Sequence, residues 1–125
     1  MTIKSRQKGA RAEREIAKIL REHGYKDARR GQQYCGTSGD ADVIGLPGYH
    51  LEIKHVEKLN LELAWQQSVR DAKENEIPIV IHKKNRTPWK VTMLLDDFLN
   101  LAKDGDDNNC NGAAVRVDQD KGRRD

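Results

Sequence analysis

The segment from residue 39 to residue 56 constrains the fold more than any other part of the chain. A short apolar run, Val43-Ile44, precedes a Pro47-Gly48 turn. After the turn, apolar residues alternate with Glu52 and Lys54. Alternation with a period of two after a Pro-Gly turn is typical of a β-hairpin with one buried face. Because successive side chains of a strand point to opposite faces, Glu52 and Lys54 are expected together on the other face.

Asp42, directly before the first apolar run, adds a second carboxylate to this hairpin. A tight two-residue turn would place Val43 opposite Glu52 and leave Asp42 on the wrong face. A three-residue loop or a bulge would place Asp42 opposite Glu52 instead. We predict this irregular register because a shared metal site requires it. Asp40 has the same parity as Asp42, so it is either a satellite ligand or an ion-pair partner.

Two carboxylates and an ammonium on one face suit Mg²⁺, which is commonly held by one or two carboxylates, water and substrate phosphate. The alternative is an exposed hairpin edge with ordinary surface charges. The spacing of Asp42 and Glu52-Ile53-Lys54 resembles the PD-(D/E)xK nuclease superfamily, with Ala41 where the superfamily often has proline. The resemblance implies that Asp42 and Glu52 bind the metal ion, that the Ile53 carbonyl is a candidate third ligand, and that Lys54 acts in catalysis.

Residues 8–23 have the periodicity of an amphipathic helix that ends at Gly24. At about 100° per residue, Glu13 shares the apolar face with Ile16, whereas Glu15 points nearly the opposite way. A carboxylate on an apolar face needs a partner, because an unpaired buried charge is costly. That partner is either an arginine or lysine at the edge of the core, or a metal site.

The sequence KGARAEREIAKILREHGY, residues 8–25, is similar to the first helix of archaeal Holliday junction resolvases and their phage relatives. This resemblance implies that Glu13 belongs to the active site, where it would bind a second metal ion or its water. It also implies a single restriction-endonuclease-like domain, Mg²⁺ as the cofactor with Mn²⁺ as a substitute, and products with a 5′-phosphate and a 3′-hydroxyl. Because a resolvase cuts two strands symmetrically and this chain has room for one site, a homodimer is expected.

The second half of the chain predicts two helices and two strands. Asn60 caps a helix over residues 61–75, whose apolar stripe includes Trp65, Ser68 and Val69. The remaining elements are a strand over 77–81, a strand over 89–93 and a short helix over 94–101. With a short strand near residues 28–34, the order is helix, three strands, helix, two strands and a short C-terminal helix. The sequence therefore predicts an α/β domain with a mixed central sheet flanked by helices.

Basic and amide side chains elsewhere in the chain are candidates for DNA contacts. Cations bind phosphate oxygens, and amides add neutral hydrogen bonds. The alternative is that these segments are ordinary solvated loops and helix faces. The sequence does not choose between Gln66 and Gln67 on the second helix, and Gln67 is kept as the candidate. The candidates are Lys8, Arg11, Arg29, Arg30, Gln67, Lys83, Lys84 and Arg86.

Composition limits the remaining possibilities. A chain of 125 residues forms one domain with a modest core, and no apolar run reaches the roughly 18 residues of a transmembrane helix. The N-terminus lacks the apolar core of a signal peptide, so a cytoplasmic protein is expected. Cys35 and Cys110 lie in no zinc-ligand spacing, which predicts free thiols. The polar segment 103–125 predicts a disordered tail after a nuclease domain over 1–102.

Together these inferences predict a Mg²⁺-dependent DNA endonuclease, structure-selective and resembling Holliday junction resolvases, with branched DNA as its partner and no membrane. Lys54 would position and help deprotonate the attacking water, or stabilise charge that develops on the phosphate. Two alternatives stay open: another nuclease of the superfamily, of the nicking or restriction type, and a non-catalytic DNA-binding module. The set of Glu13, Asp42, Glu52 and Lys54 argues against the module, because a binding protein has no need of three acids beside a polyanion.

Overall fold

The structure is a computed structural model that describes residues 3–31 and 41–108. Its elements are α1 (Ile3–Glu22), β1 (Arg29–Arg30), β2 (Val43–Ile44), β3 (Tyr49–His55), α2 (Leu61–Asp71), β4 (Ile77–Lys83), β5 (Lys90–Thr92) and α3 (Leu95–Asn108). The predicted element order is confirmed. The predictions that concern Asp40, the two cysteines, the strand beyond residue 31 and the tail from residue 109 lie outside the described residues.

One five-stranded mixed sheet organises the part of the chain up to residue 93. Its strands lie in the order β1-β2-β3-β4-β5, and all neighbours are antiparallel except β3 and β4, which are parallel. A parallel pair requires a crossover, and α2 provides it. The predicted α/β fold with a mixed central sheet is confirmed. A second compact unit begins at Leu94 and contains α3.

Helix α1 covers one face of the sheet, which we call the α1 side. Leu51 and Ile53 point to this side from β3, and both are buried. They form the core with four more small or branched residues of α1 and β2 and with one residue of β4: Ala12, Ile16, Ala17, Val43 and Ile79. The alternating apolar residues of β3 therefore pack against the apolar residues that recur every three to four positions in α1, and together they form one apolar layer.

Helix α1 is longer at its start than predicted, since it begins at Ile3 rather than Lys8. No proline or glycine interrupts residues 3–8, so nothing in the local sequence stops the helix there. Its end matches the prediction. Gly24 has a φ of 103°, and the Tyr25 amide donates to the Leu20 carbonyl at 3.0 Å, as in a left-handed helix cap.

Helix α2 covers the other face, which we call the α2 side and to which His50, Glu52 and Val80 point. The Asn60 cap is confirmed, because its side-chain oxygen accepts from the Leu63 amide at 3.0 Å. The buried stripe is narrower than predicted: the helix ends at Asp71, and Val69 is 49% exposed. A helix that lies on a flat sheet buries a single stripe, so neighbours of Ser68 turn outward.

The C-terminal elements also differ from the prediction in their bounds. Strand β4 continues to Lys83, whose ammonium lies 5.2 Å from the centre of the Trp89 ring. Helix α3 continues to Asn108, beyond the predicted end at residue 101, because no proline interrupts it and its charged residues are those of a solvated helix. None of the helices in the described ranges is long and apolar enough to cross a membrane.

Candidate active site

The register of the β2–β3 hairpin decides which side chains meet. Val43 lies opposite Leu51, so one step along each strand brings Asp42 opposite Glu52. The predicted irregular register is confirmed. The connecting loop contains Gly45 and Gly48 with φ values of 107° and 87°, a left-handed conformation that glycine adopts without steric cost. The loop backbone can therefore take the path that puts both carboxylates on the α2 side.

Two backbone contacts hold Asp42 beside β3. Its amide donates to the Leu51 carbonyl at 3.0 Å. Its Oδ2 atom accepts from the Ile53 amide at 2.8 Å. The carboxylate is thereby tied to the residue between Glu52 and Lys54, and strand β3 itself sets its position.

Glu52 points to the α2 side from the middle of β3, and its side chain is only 10% exposed. Lys54, two residues further along the same strand, shares its parity and is half-buried. Asp42, Glu52 and Lys54 are therefore on one face, in the C-terminal half of β3 next to the start of β2. This arrangement matches the pattern that the sequence predicts.

The donor set of this face fits a hard divalent cation. Asp42 and Glu52 supply carboxylate oxygens from adjacent strands, and the Ile53 carbonyl lies on the backbone between Glu52 and Lys54. Oxygen donors of this kind suit Mg²⁺ and Mn²⁺. Asp42, Glu52 and the Ile53 carbonyl are the groups that would hold the ion.

A second arrangement around Glu52 was not predicted. Among the described residues, one group of three side chains offers ligand atoms that all lie within 4.8 Å of one another, and its members are His50, Glu52 and Asp71. Asp71 was not among the predicted site residues. Its position three residues after Ser68 puts an acid on the buried stripe of α2, the same signal that selected Glu13 on α1.

Arg70 balances the charge of Asp71. The guanidinium of Arg70 donates to both carboxylate oxygens, at 2.9 Å and 3.2 Å. These hydrogen bonds lower the pKa of the Asp71 carboxyl below its usual value, and the same contact raises the pKa of Arg70. Asp71 is therefore a preformed carboxylate next to Glu52.

Glu13 is paired with an arginine. Arg30 of β1 donates from Nε to the Glu13 carboxylate at 2.9 Å, and the Glu13 side chain is only 18% exposed. The inward direction predicted for Glu13 is therefore confirmed. The carboxylate approaches the sheet from the α1 side, and it does not form a three-residue ligand group with Asp42 and Glu52 in the part of the chain that the structure describes.

Glu15 is exposed, which confirms the predicted direction away from the apolar face. Its carboxylate also accepts a hydrogen bond from the indole nitrogen of Trp89 at 3.2 Å, which was not predicted. The helical wheel gave its direction correctly. It could not show that the start of β5 brings an indole to that side of α1.

Two of the predicted DNA contacts line one concavity at the N-terminal half of α1. Lys8 and Arg11 line it together with His55 and Asn85. His55 and Asn85 are themselves joined by a side-chain hydrogen bond of 2.9 Å. Asn85 belongs to the loop between β4 and β5, so basic residues from α1 and the basic loop 83–86 meet at this surface.

The remaining candidates lie on other surfaces. Arg29 and Arg30 are exposed on β1, and Arg30 is the partner of Glu13. In the β4–β5 loop, Lys84 and Arg86 are exposed, and Arg86 has a φ of 61°. On α2, Gln67 is half-buried and Gln66 is exposed.

Comparison with known proteins gives one match. A family model described as "Phage putative PDDEXK endonuclease" matches residues 4–122. The searches of curated proteins and of solved structures gave no match. The family match confirms the predicted resemblance to PD-(D/E)xK nucleases, and the resolvase subtype stays a prediction.

Proposed function

This chain belongs to the phage PDDEXK endonuclease family, and from that premise we propose that it is a Mg²⁺-dependent endonuclease that cleaves branched DNA. Membership of the family makes it a nuclease with DNA as its substrate. The identity of the metal ion, the branched substrate and a homodimeric assembly are parts of the proposal. The phage description of the family supports action inside an infected host cell.

The observation that supports the cleavage site most directly is the hairpin register. With Val43 opposite Leu51, the carboxylates of Asp42 and Glu52 extend from neighbouring strands on the same face. A one-residue slip would send one of them to the apolar α1 side. The hydrogen bond from the Ile53 amide holds Asp42 in this position without help from a ligand.

Each residue of the face has a distinct task in the proposed reaction. Asp42, Glu52 and the Ile53 carbonyl would hold the Mg²⁺ ion, which when bound would supply Lewis-acid activation of the scissile phosphate and of water. The ammonium of Lys54 orients the attacking water and donates to the phosphate oxygens as charge develops on them. Glu13 approaches the sheet from the α1 side and is paired with Arg30, so its proposed role, binding a second metal ion or its water, is separate from the position between Asp42 and Glu52.

The basic concavity of α1 supports binding of a DNA backbone. Lys8 and Arg11 line the same concavity as Asn85, which lies between Lys84 and Arg86 in the β4–β5 loop. Such contacts bind phosphates without reading bases, which suits an enzyme selective for DNA shape.

A homodimer would present two sites to the two strands of a junction. If sedimentation shows a strict monomer, both free and on junction DNA, the resolvase subtype is wrong, and the general nuclease proposal is unaffected.

The second candidate function is another phage nuclease of the same superfamily, of the nicking or restriction type. The family description supports it equally well, because it names an endonuclease and no substrate structure. Lys8 and Arg11 would then bind the backbone of a linear duplex.

Cleavage of a four-way junction, a nicked duplex and a linear duplex of the same sequence tests the proposal. We expect the wild-type protein to cut the junction fastest in Mg²⁺ or Mn²⁺ and to be inactive in EDTA. Asp42→Asn should bind the junction with at least the wild-type affinity and leave it uncut. Preferential cutting of linear duplex would favour the second candidate, and cleavage by Asp42→Asn would remove the assigned site.

A further inference from the structure

The imidazole of His50 is the most deeply buried titratable side chain on the α2 side. It is 1% exposed, and its Nε2 atom has no hydrogen-bond partner in the described part of the chain. Nε2 lies 3.4 Å from Oε1 of Glu52, and Nδ1 lies 3.8 Å from Oε1 of Glu76. A buried polar atom without a partner is costly, so this contact requires an explanation.

The two carboxylates on either side of the ring suggest how its nitrogens are used. A proton on Nδ1 faces Glu76, and Nε2 then directs its lone pair at the Glu52 carboxylate. Two electron-rich atoms in that position repel each other unless a proton or a metal cation lies between them. The pattern of a carboxylate behind one ring nitrogen and a cation on the other is common for metal-binding histidines.

The separation of Nε2 and Oε1 is also that of two ligands of one ion. At 3.4 Å it exceeds the usual range of about 2.7–3.2 Å for an N–H···O hydrogen bond. Ligands about 2.0–2.1 Å from a tetrahedral ion are separated by roughly 3.3–3.4 Å. The distance between the two atoms therefore allows both to bind one ion.

Asp71 completes the group from α2. Its ligand oxygen lies within 4.8 Å of the ligand atoms of His50 and Glu52, and its side chain is only 19% exposed. Arg70 donates two hydrogen bonds to the Asp71 carboxylate. A carboxylate has about four lone-pair sites, so Asp71 can still bind a metal ion.

We propose that His50 Nε2, Glu52 and Asp71 form a binding site for a divalent transition-metal ion of the zinc type, separate from the Mg²⁺ position between Asp42 and Glu52. An imidazole ligand favours zinc, cobalt and nickel ions over Mg²⁺, which prefers oxygen donors and retains its water. The two sites share Glu52 through its two oxygens. This site goes beyond the proposed cleavage and does not depend on it.

Titration with Co²⁺ in the absence of DNA tests the site, since bound Co²⁺ has visible absorption. The full chain is used with Cys35 and Cys110 replaced by serine, because thiolates themselves bind Zn²⁺ and Co²⁺. We expect one Co²⁺ ion per chain, displaced by stoichiometric Zn²⁺ and not by millimolar Mg²⁺. His50→Gln should weaken Co²⁺ binding by at least about 10²-fold. Loss of a residue that only hydrogen-bonds to a metal ligand typically costs about 10- to 100-fold, and loss of the ligand itself should cost at least that much.

His55→Gln is the matched control, because His55 is a histidine of the same strand on the other face. It should bind Co²⁺ like the parent protein. Asp71→Asn, at the partly buried end of α2, should lose Co²⁺ binding as His50→Gln does. It tests the site if His50→Gln unfolds the protein. Thermal melting followed by circular dichroism checks folding of each variant. Absence of the cobalt spectrum in the parent protein, or equal binding by the folded Asp71→Asn variant, would overturn the proposal.

Discussion

The Asp42 carboxylate accepts a hydrogen bond of 2.8 Å from the backbone amide of Ile53. The bond joins the residue directly before β2 to the strand that contains Glu52 and Lys54. It uses one oxygen of a carboxylate that is also proposed to bind a metal ion. Asp42 therefore has a structural and a chemical task, and substitutions can separate them.

Asp42→Ala and Asp42→Asn should both abolish cleavage, but they should differ in stability. Alanine leaves the Ile53 amide without its acceptor, which should lower the free energy of unfolding by about 1–3 kcal/mol. Asparagine retains an acceptor oxygen at the same place, so Asp42→Asn should lower the free energy of unfolding by less than Asp42→Ala does. Urea denaturation and a single-turnover cleavage assay of both variants measure the two effects. Equal stability of the variants would show that the hydrogen bond contributes nothing.

Glu13→Gln should lower the single-turnover cleavage rate by on the order of 10²-fold or more at saturating Mg²⁺, if Glu13 binds the metal or its water. Glu15→Gln is the matched control two residues away. It should have little effect, because glutamine can still accept from Trp89 and exposed charges contribute little.

Arg30→Gln distinguishes the two tasks of Glu13. The loss of Arg30 removes the 2.9 Å ion pair but leaves the carboxylate in place. If cleavage depends on the carboxylate itself, Arg30→Gln should retain far more activity than Glu13→Gln. Small and equal losses in both variants would make Glu13 an ion-pair partner only.

His82 should make the protein less stable as the pH falls. Burial, followed by the charge of Lys90, lowers the pKa of His82 in the folded protein below its value of 6.5 in the unfolded chain. The unfolded state therefore binds more protons in this window, so stability is present above about pH 6.5 and declines as the pH falls toward the folded pKa. His82→Gln retains a side chain that can bond to Thr92.

The measurement is the difference in melting temperature between wild type and His82→Gln at pH 8 and pH 5.5. We expect the melting temperature of the wild type to fall more between pH 8 and pH 5.5 than that of His82→Gln. Parallel losses would mean that other groups cause the pH dependence.

Ser68→Ala should destabilise the protein by about 0.5–1.5 kcal/mol. Ser68 is fully buried in α2, and its hydroxyl donates to the Ile79 carbonyl of β4 at 3.2 Å. Gln66→Ala, on the exposed side of the same helix, is the control and should change stability by no more than about 0.5 kcal/mol. Chemical denaturation of the two variants tests whether this bond fixes α2 on the sheet.

The sequence by itself determined the elements and the direction of their side chains. The alternation around Glu52, the stripe that contains Ile16, and the signals at Gly24 and Asn60 are local, because backbone geometry fixes which face each residue takes. These patterns predicted the mixed α/β fold, the inward direction of Glu13 and the common face of Glu52 and Lys54.

Only the tertiary structure decided which residues meet across elements. The hairpin register depends on the path of the β2–β3 loop. It was predicted only because a shared metal site requires Asp42 opposite Glu52, and no sequence pattern indicates it. The pairing of Glu13 with Arg30, and the approach of Asp71 to His50, join elements far apart in the chain. Such contacts depend on how α1 and α2 lie on the two faces of the sheet, because packing between elements sets distances that periodicity within one element does not contain.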